Sequence, residues 1–450
     1  MAIIAQQNLF SWKDIELTSD LNKLKLVLEF LPDEELMVFL EEKRANGRND
    51  YTIRSIWNTI LAGIIYQHKS IESLRRELLR NPSLGELCGL DLLKENYGVP
   101  TSSAYTRFLK KLIKCDFFIE KMINSMIENL KEVLPDLGKY LAVDSKAISS
   151  FGKKGKKREP DGRRDIDANH GKKRYNGINK NGSLWEKIKV WFGYKIHLIV
   201  DSKYELPLAG ILTTASVSDS PQLLPLLEKL NNNHPEIIET AEYLTGDKGY
   251  DSTENNREIF DKYRIKPIID IRATWKNNDD KLRSVDGNHE ETILMNDNGK
   301  IFCDMGKEGK FEHMAMPYAG FEKSRMTLKY ICPAHRAGTR CFQAENGTCQ
   351  YGKIVRIKME NDRRRFVPVP RHTPKWKREY KKRSAVERVN GRIDQEYCFE
   401  NHFIRGMKKM EVRINLALLI MLTMAYGSIK TKRPERIRSL TWSSRFSKVT

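Results

Sequence analysis

The sequence predicts an α+β or α/β protein: an all-helical N-terminal part, then a mixed five-stranded sheet flanked by helices and split by a long polar interruption. Three observations carry this. Apolar residues recur at three- and four-residue spacing through residues 1–138, the period of a helix buried on one face. From Lys139 the period changes to short apolar runs of strand length, two of them closing on aspartates. Between residues 272 and 372 the chain turns polar and rich in Asn, Asp and Gly, and helical periodicity returns only beyond it.

The totals suit that outline. A chain of 450 residues with 40% hydrophobic and 9% aromatic content is long enough for several domains and too apolar to be disordered throughout. Lys and Arg number 79 against 59 Asp and Glu, a formal charge of +20. Such a surplus favours an anionic polymer as partner, most often nucleic acid, although charge alone does not separate DNA from RNA or an anionic membrane. The first residues lack the basic start and apolar run of a signal peptide. The longest apolar stretch, residues 414–426, is interrupted by Asn415 and Thr423 and is too short to span a bilayer; it reads as a buried helix. With seven cysteines and no export signal, no disulfide framework is expected, and a cytosolic location without membrane contact follows.

In chain order, helices are expected over residues 21–31, 33–43, 51–68 and 71–79, and again after Pro100, where Thr101, Ser102 and Ser103 offer caps. Basic residues gather on the outer faces: Arg75, Arg76 and Arg80, then Arg107, Lys110, Lys111 and Lys114. Short helices with a basic rim suit a helix-turn-helix reader of DNA, or else a bundle with solvated lysines.

Residues 140–144 read as a buried strand delivering Asp144 at its end, followed by Lys146. Residues 152–175 hold ten Lys or Arg against four acids and read as a flexible basic loop. Residues 191–201 form a second strand with Lys195 and His197 on one face, and residues 205–214 a third. Asp219 and Pro221 open a helix whose leucines supply its apolar face. Residues 241–251 form a fourth strand carrying Asp247 and Lys248 between Gly246 and Gly249, then come a helix and a strand over 265–271. Carboxylates at the C-terminal ends of strands stand where α/β sheets place functional groups.

The interruption at 272–372 is expected to be a small β-rich subdomain. It contains Cys303, Cys332, Cys341 and Cys349, with 28, eight and seven residues between them. A zinc site could be assembled from these, but tight Cys-x-x-Cys pairs are lacking. Residues 373–428 return to the catalytic part as helices, and 429–450 form a basic tail. In the run 376–396, Tyr380, Arg383, Glu387 and Asp394 are spaced three, four and seven apart, so one helical face presents all four.

Two aspartates from separate strands and a glutamate from a later helix can hold two divalent cations, the arrangement that phosphodiester cleavage asks for. Magnesium favours such hard carboxylate ligands.

These residues carry a resemblance to the DDE transposases of insertion sequences, in the group whose glutamate lies in a tyrosine, arginine, glutamate, lysine signature. The Val143-Asp144-Ser-Lys146 stretch is similar to the family's first aspartate motif, and Thr245-Gly-Asp247-Lys-Gly-Tyr-Asp251 to its second. Tyr380, Arg383 and Glu387 fall at the signature's gaps, while the lysine position is Asp394. The Tyr51-Thr-Ile-Arg, Ser70-Ile-Glu-Ser and Val99-Pro-Thr-Ser-Ser stretches resemble its N-terminal domain. The resemblance implies an RNase H-like core in which Asp144, Asp247 and Glu387 are catalytic and bind two Mg²⁺ or Mn²⁺ ions. It implies cleavage at the element's ends and transfer of the freed 3′-hydroxyl into target DNA, by a homodimer on paired double-stranded ends. Tyr380 and Arg383 are the expected phosphate contacts, with Arg392 in place of the missing lysine and Lys146, Lys195, His197 and Lys248 near the DNA; Trp275 is a candidate for base stacking, with simple core of the interruption as the better reading. A nuclease of the same fold without strand transfer, or an inactive DNA-binding repressor, remains open at this point.

Overall fold

A computed structural model describes residues 19–44, 50–152, 165–179, 183–272, 282–285, 292–306 and 313–438. Trp275 and the end of the basic tail lie outside these residues.

Among the described residues, the N-terminal part contains the α-helices α1 (Ser19–Phe30), α2 (Glu34–Glu42), α3 (Ile53–Ile65), α4 (Ile71–Arg80), α5 (Pro82–Leu87), α6 (Ser102–Ile113) and α7 (Asp116–Val133). Their starts are chemically marked. Thr52 accepts from the Ser55 N–H, Ser70 and Ser73 form a reciprocal capping box, and Thr101 accepts from the Ala104 N–H; each satisfies a donor that the first turn leaves open. Trp57 and Arg54 both donate to Asp33 at 2.5 Å, clasping α3 to the start of α2.

One six-stranded mixed sheet follows, built from β1 (Tyr140–Ser149), β2 (Asn169–Ile178), β3 (Leu184–Asp201), β4 (Pro207–Thr214), β5 (Tyr243–Gly246) and β6 (Lys266–Ile269). Strand β3 lies antiparallel to β1, β2 and β4, while β1, β5 and β6 run parallel. Three helices, α8 (Leu223–Asn233), α9 (Pro235–Thr240) and α10 (Thr253–Asp261), make the crossovers, as parallel neighbours require.

Five of these strands sit where the apolar runs place them; the sixth corrects the expectation. Residues 169–175, read as loop, belong to β2, which pairs with the N-terminal half of β3 from Asn169↔Gly193 to Ile178↔Leu184. Composition hid it: a lysine-rich strand has no apolar alternation to betray it. Two strands also have different ends. Strand β1 runs past Asp144 to Ser149 because Ala147 and Ile148 go on pairing with β3. Strand β5 stops at Gly246, where the chain tightens into a 3₁₀ turn over Lys248–Tyr250.

Beyond β6 come two smaller antiparallel sheets. The first contains β7 (Arg283–Ser284), β8 (Ile293–Met295), β9 (Ile301–Asp304) and β10 (His313–Ala315); the second contains β11 (Tyr318–Glu322), β12 (Thr327–Ile331) and β13 (Ile354–Lys358). They share a core with Phe260 of α10. Short helices α11 (Pro333–Ala337) and α12 (Phe342–Glu345) follow β12. Arg371 then ties the segment back to the main sheet by donating to the carbonyl of Ile269.

The chain ends in α13 (Pro374–Tyr380), α14 (Ser384–Gln395) and α15 (Met407–Lys430). By length and composition α15 could cross a membrane, but 78% of its apolar window is buried inside the protein, so it is a core helix. It packs against α7, α1 and β4, and a single hydrophobic cluster runs from α1 through the main sheet to α15.

Candidate active site

The register of the parallel strands decides where the two aspartates lie. Val143 of β1 is in register with Gly246 of β5, so Asp144 and Asp247 follow at the same level, on one face, of strands roughly 4.8 Å apart. The parallel ladder ends there and leaves an opening between the strands. The Asp247 carboxylate accepts from the Gly249 N–H at 2.7 Å. A Cβ on Gly249 would fall 2.6 Å from that oxygen and would turn the Asp247 carboxylate away. Burial raises the Asp144 carboxyl to about 6, and the Asp247 charge adds to the rise while Lys173 opposes it. Two like charges side by side, both half-buried, are an arrangement that a cation relieves.

The helical run that follows the interruption is not one helix. Lys381–Arg383 form a 3₁₀ turn between α13 and α14, with the Ser384 hydroxyl donating to the carbonyl of Lys381. Tyr380 therefore closes one helix and Arg383 opens the next. Trp376 and Tyr380 stack at 4.6 Å, and Arg383 lies over the Tyr380 ring. Arg383 pairs with Glu387 one turn on at 2.8 Å. Asn390, on the same helix, donates to Asp144 at 3.2 Å, which joins α14 to β1. Burial lifts the Tyr380 hydroxyl above its ordinary range, with Asp270 and Asp247 adding to it.

Asp144 and Asp247 thus lie on and just past adjacent strands, and Glu387 is carried by α14, the helix whose Asn390 reaches Asp144. The Glu387 side chain is 52% exposed and turned to Arg383. Among the described residues no three His, Cys, Asp or Glu side chains stand close enough to hold a metal ion.

The basic residues divide by burial. Lys248 is exposed beside Asp247. Lys146 instead pairs with Asp394 of α14, the residue standing at the signature's lysine position. Lys195 is 7% exposed and donates to Asp219 and to the carbonyl of Val217. His197 is fully buried, bonded to Thr213, and its ring is lowered to about 4 by burial. Arg392 is buried with its guanidinium on the carbonyl of Glu205. The expectation that Lys195, His197 and Arg392 face DNA is therefore corrected: the strand and helix faces that carry them are covered by neighbouring elements. Asp219 is likewise not the helix cap expected of it; it has no capping bond, and the Lys195 ammonium holds it.

Sequence reasoning passed over Asp270. Gly246 is in register with Ile269, so Asp270 follows at the level of Asp247 on the third parallel strand. The signal was available, since the run 265–271 is another apolar strand with an acid near its end. Asn390 and the buried Tyr250, whose hydroxyl Asp144, Asp219 and Asp247 surround, carried no signal of their own.

The zinc expectation is not met among the described residues. Cys332 and Cys341 share a small apolar cluster with Met305 and Ala334, and Cys303 and Cys341 lean on the carbonyls of Asp304 and Met305. Burial pushes the Cys303 thiol up to about 12, the behaviour of a small hydrophobe.

Comparison with known proteins bears on the family of the chain. A family model described as a transposase DDE domain matches residues 138–424. A putative transposase for insertion sequence element IS402 from Burkholderia cepacia is 37% identical over 87 residues. That match covers 18% of this chain and 39% of the relative, so the chain spans well under half of that protein's length. No solved structure matches.

Proposed function

The chain belongs to the transposase DDE domain family, and from that premise we propose that it is a DNA transposase with an RNase H-like core. It cuts at the ends of an insertion sequence and joins the freed 3′-hydroxyl to target DNA. The observation that carries the reading is the pairing of Asp144 and Asp247 at one level of adjacent parallel strands, beneath the helix that bears Arg383 and Glu387.

The residues fit a divalent metal in donor type and electrostatics: burial, with the Asp247 charge adding to it, raises Asp144, and hard oxygen donors suit Mg²⁺ or Mn²⁺. Asp144, Asp247 and Glu387, once free of Arg383, would hold two such ions, which supply charge neutralisation at the attacking and leaving oxygens. Asn390 fixes the orientation of the Asp144 carboxylate through its amide. Arg383, freed from Glu387 as that carboxylate turns inward, is the nearest fork for a phosphate. Tyr380 stays protonated at neutral pH because burial disfavours the phenolate, so its hydroxyl can donate to the same phosphate. Lys248 adds a surface cation beside Asp247. The N-terminal helices would read the terminal repeats, and a homodimer would bring paired duplex ends together in the cytosol.

The test is cleavage of linear DNA bearing the element's own ends with Mg²⁺, comparing the wild type with Asp144→Asn, Asp247→Asn and Glu387→Gln. Nicking at the repeat boundary by the wild type alone, with duplex binding retained by all three variants, is expected. Substantial cutting by any purified variant would sink the assignment. Failure of pre-cut ends to join target DNA would reduce the activity to a nuclease.

A further inference from the structure

Strand β3 is longer than the main sheet requires. From Gly193 to Asp201 it pairs with β1 and is almost wholly buried, whereas residues 184–190 are all exposed and pair with β2. The two strands form a ribbon of ten register pairs, Asn169↔Gly193 to Ile178↔Leu184, reaching roughly 30 Å at about 3.4 Å per residue. An isolated two-stranded ribbon is marginal in water, and this one carries a device against that near each end. A Cβ on Gly171 would fall 2.3 Å from the Trp191 indole, and one on Gly177 would fall 2.4 Å from the Trp185 indole. Each tryptophan thus lies flat across the glycine opposite, yet Trp185 remains 41% exposed.

Strand alternation sorts the outer side chains. Trp185, Lys187 and Lys189 share one face with Lys173, and Ile188 and Val190 share the other with Lys172. At the ribbon's root, Lys173 donates to the backbone carbonyl of Ser145 at 3.3 Å, and of the cations near Asp144 it bears on it most. The ribbon is therefore registered to the strand that carries the first catalytic aspartate.

An exposed ribbon with cations and an indole on one face, and Lys172 and Glu186 among apolar side chains on the other, suits duplex DNA, whose major groove admits a two-stranded β-ribbon. A second copy is the less fitting occupant, because it would bring another chain of formal charge +20 against the lysines. We propose that the β2–β3 ribbon is a DNA arm lying along the duplex beside the scissile phosphate, with Lys187 and Lys189 on phosphates and Trp185 against the sugar and base edges. This rests on the transposase reading for the identity of the polymer.

The test uses the full chain and a fluorescently labelled linear duplex, with affinity measured across a salt series. The wild type without divalent metal serves as the uncut, binding-competent reference. Lys187→Ala/Lys189→Ala, and separately Trp185→Ala, are compared with the wild type, with circular dichroism and Tm recorded for each. Each phosphate contact contributes about 0.9 to the slope of log affinity against log salt. The double variant is expected to lose about 2 from that slope and to bind roughly tenfold or more weakly at about 0.1 M salt, with its Tm kept. Trp185→Ala is expected to weaken binding while leaving the slope unchanged. An unchanged slope and affinity in the double variant overturns the arm. So does a change in oligomeric mass with DNA affinity intact, which would assign the ribbon to a second copy. A wild type that binds DNA but never cuts would instead overturn the transposase reading, and the slope comparison would still decide the arm.

Discussion

Asp144 is held in an environment that disfavours its charge, and that has a thermodynamic signature. Its carboxyl titrates near 6 in the folded protein because of burial and the neighbouring Asp247, but near its ordinary value in the unfolded chain. Between those values the folded state binds the extra proton, so this group lowers stability as pH rises from about 4 to 6, and the loss is complete above 6. Asp144→Asn removes the charge and keeps an oxygen for the Asn390 amide. The metal-free variant is therefore expected to be more stable than the wild type at pH 7, by up to roughly 3 kcal/mol at 1.36 kcal/mol per pKa unit. The advantage should disappear below about pH 4. Added Mg²⁺ should raise the Tm of the wild type and not that of Asp144→Asn. Urea unfolding at both pH values checks the first claim; a variant less stable at pH 7 would refute it.

At the scale of elements, α14 is fastened to β1 at two points: Asn390 on Asp144, and Asp394 on Lys146. The second is mostly shielded, with side chains 10% and 21% exposed. Removing one partner of a buried pair leaves a stranded charge. Lys146→Ala or Asp394→Ala should each cost about 1–3 kcal/mol in denaturant unfolding. The reversed pair Lys146→Asp/Asp394→Lys should recover much of that loss, with a coupling above about 1 kcal/mol. Additive losses in the cycle would show that the pair does not join the elements. Because α14 also carries Glu387, cleavage should fall more in the single variants than in the reversed pair.

The N-terminal helices, the main sheet and α15 share one core, and histidines in different parts of the molecule are held neutral by burial: His197 in the main sheet, His372 against Tyr318 and Tyr330, and His402 before α15. Burial lowers His197, His372 and His402 each to about 4. In the unfolded chain such rings take up a proton near 6.5. As pH falls from 7 to 5.5 the unfolded state binds more protons, and these groups withdraw stability. The raised carboxyls of Asp144, Asp394 and Glu396 act in the opposite sense, so the histidine contribution is isolated by substitution. His402→Gln is expected to lose less stability than the wild type between pH 7 and 5.5, read from urea midpoints. Equal pH slopes would show that His402 is not held neutral.

Local chemistry written into the sequence was enough to place the helix start at Thr101, five strands of the main sheet, and the two aspartates beside them, whereas the caps Thr52 and Ser70 came from the structure. Each of these depends on neighbours close in the chain: a hydroxyl facing a first turn, an apolar run with a carboxylate after it, a glycine where the backbone must turn. What depended on distant partners was settled only in three dimensions. Lys195 and His197 alternate like surface residues but are buried because Asp219 and Thr213 come back to meet them. Lys146 and Asp394 are 248 residues apart and became a pair only when α14 crossed β1. The ribbon of β2 and β3 had no apolar pattern to show, since its stability comes from cross-strand glycine–tryptophan contacts rather than from a buried face. Residue type and spacing determine local geometry; which charge meets which across the fold follows from packing, where burial makes an unpaired charge too costly to leave.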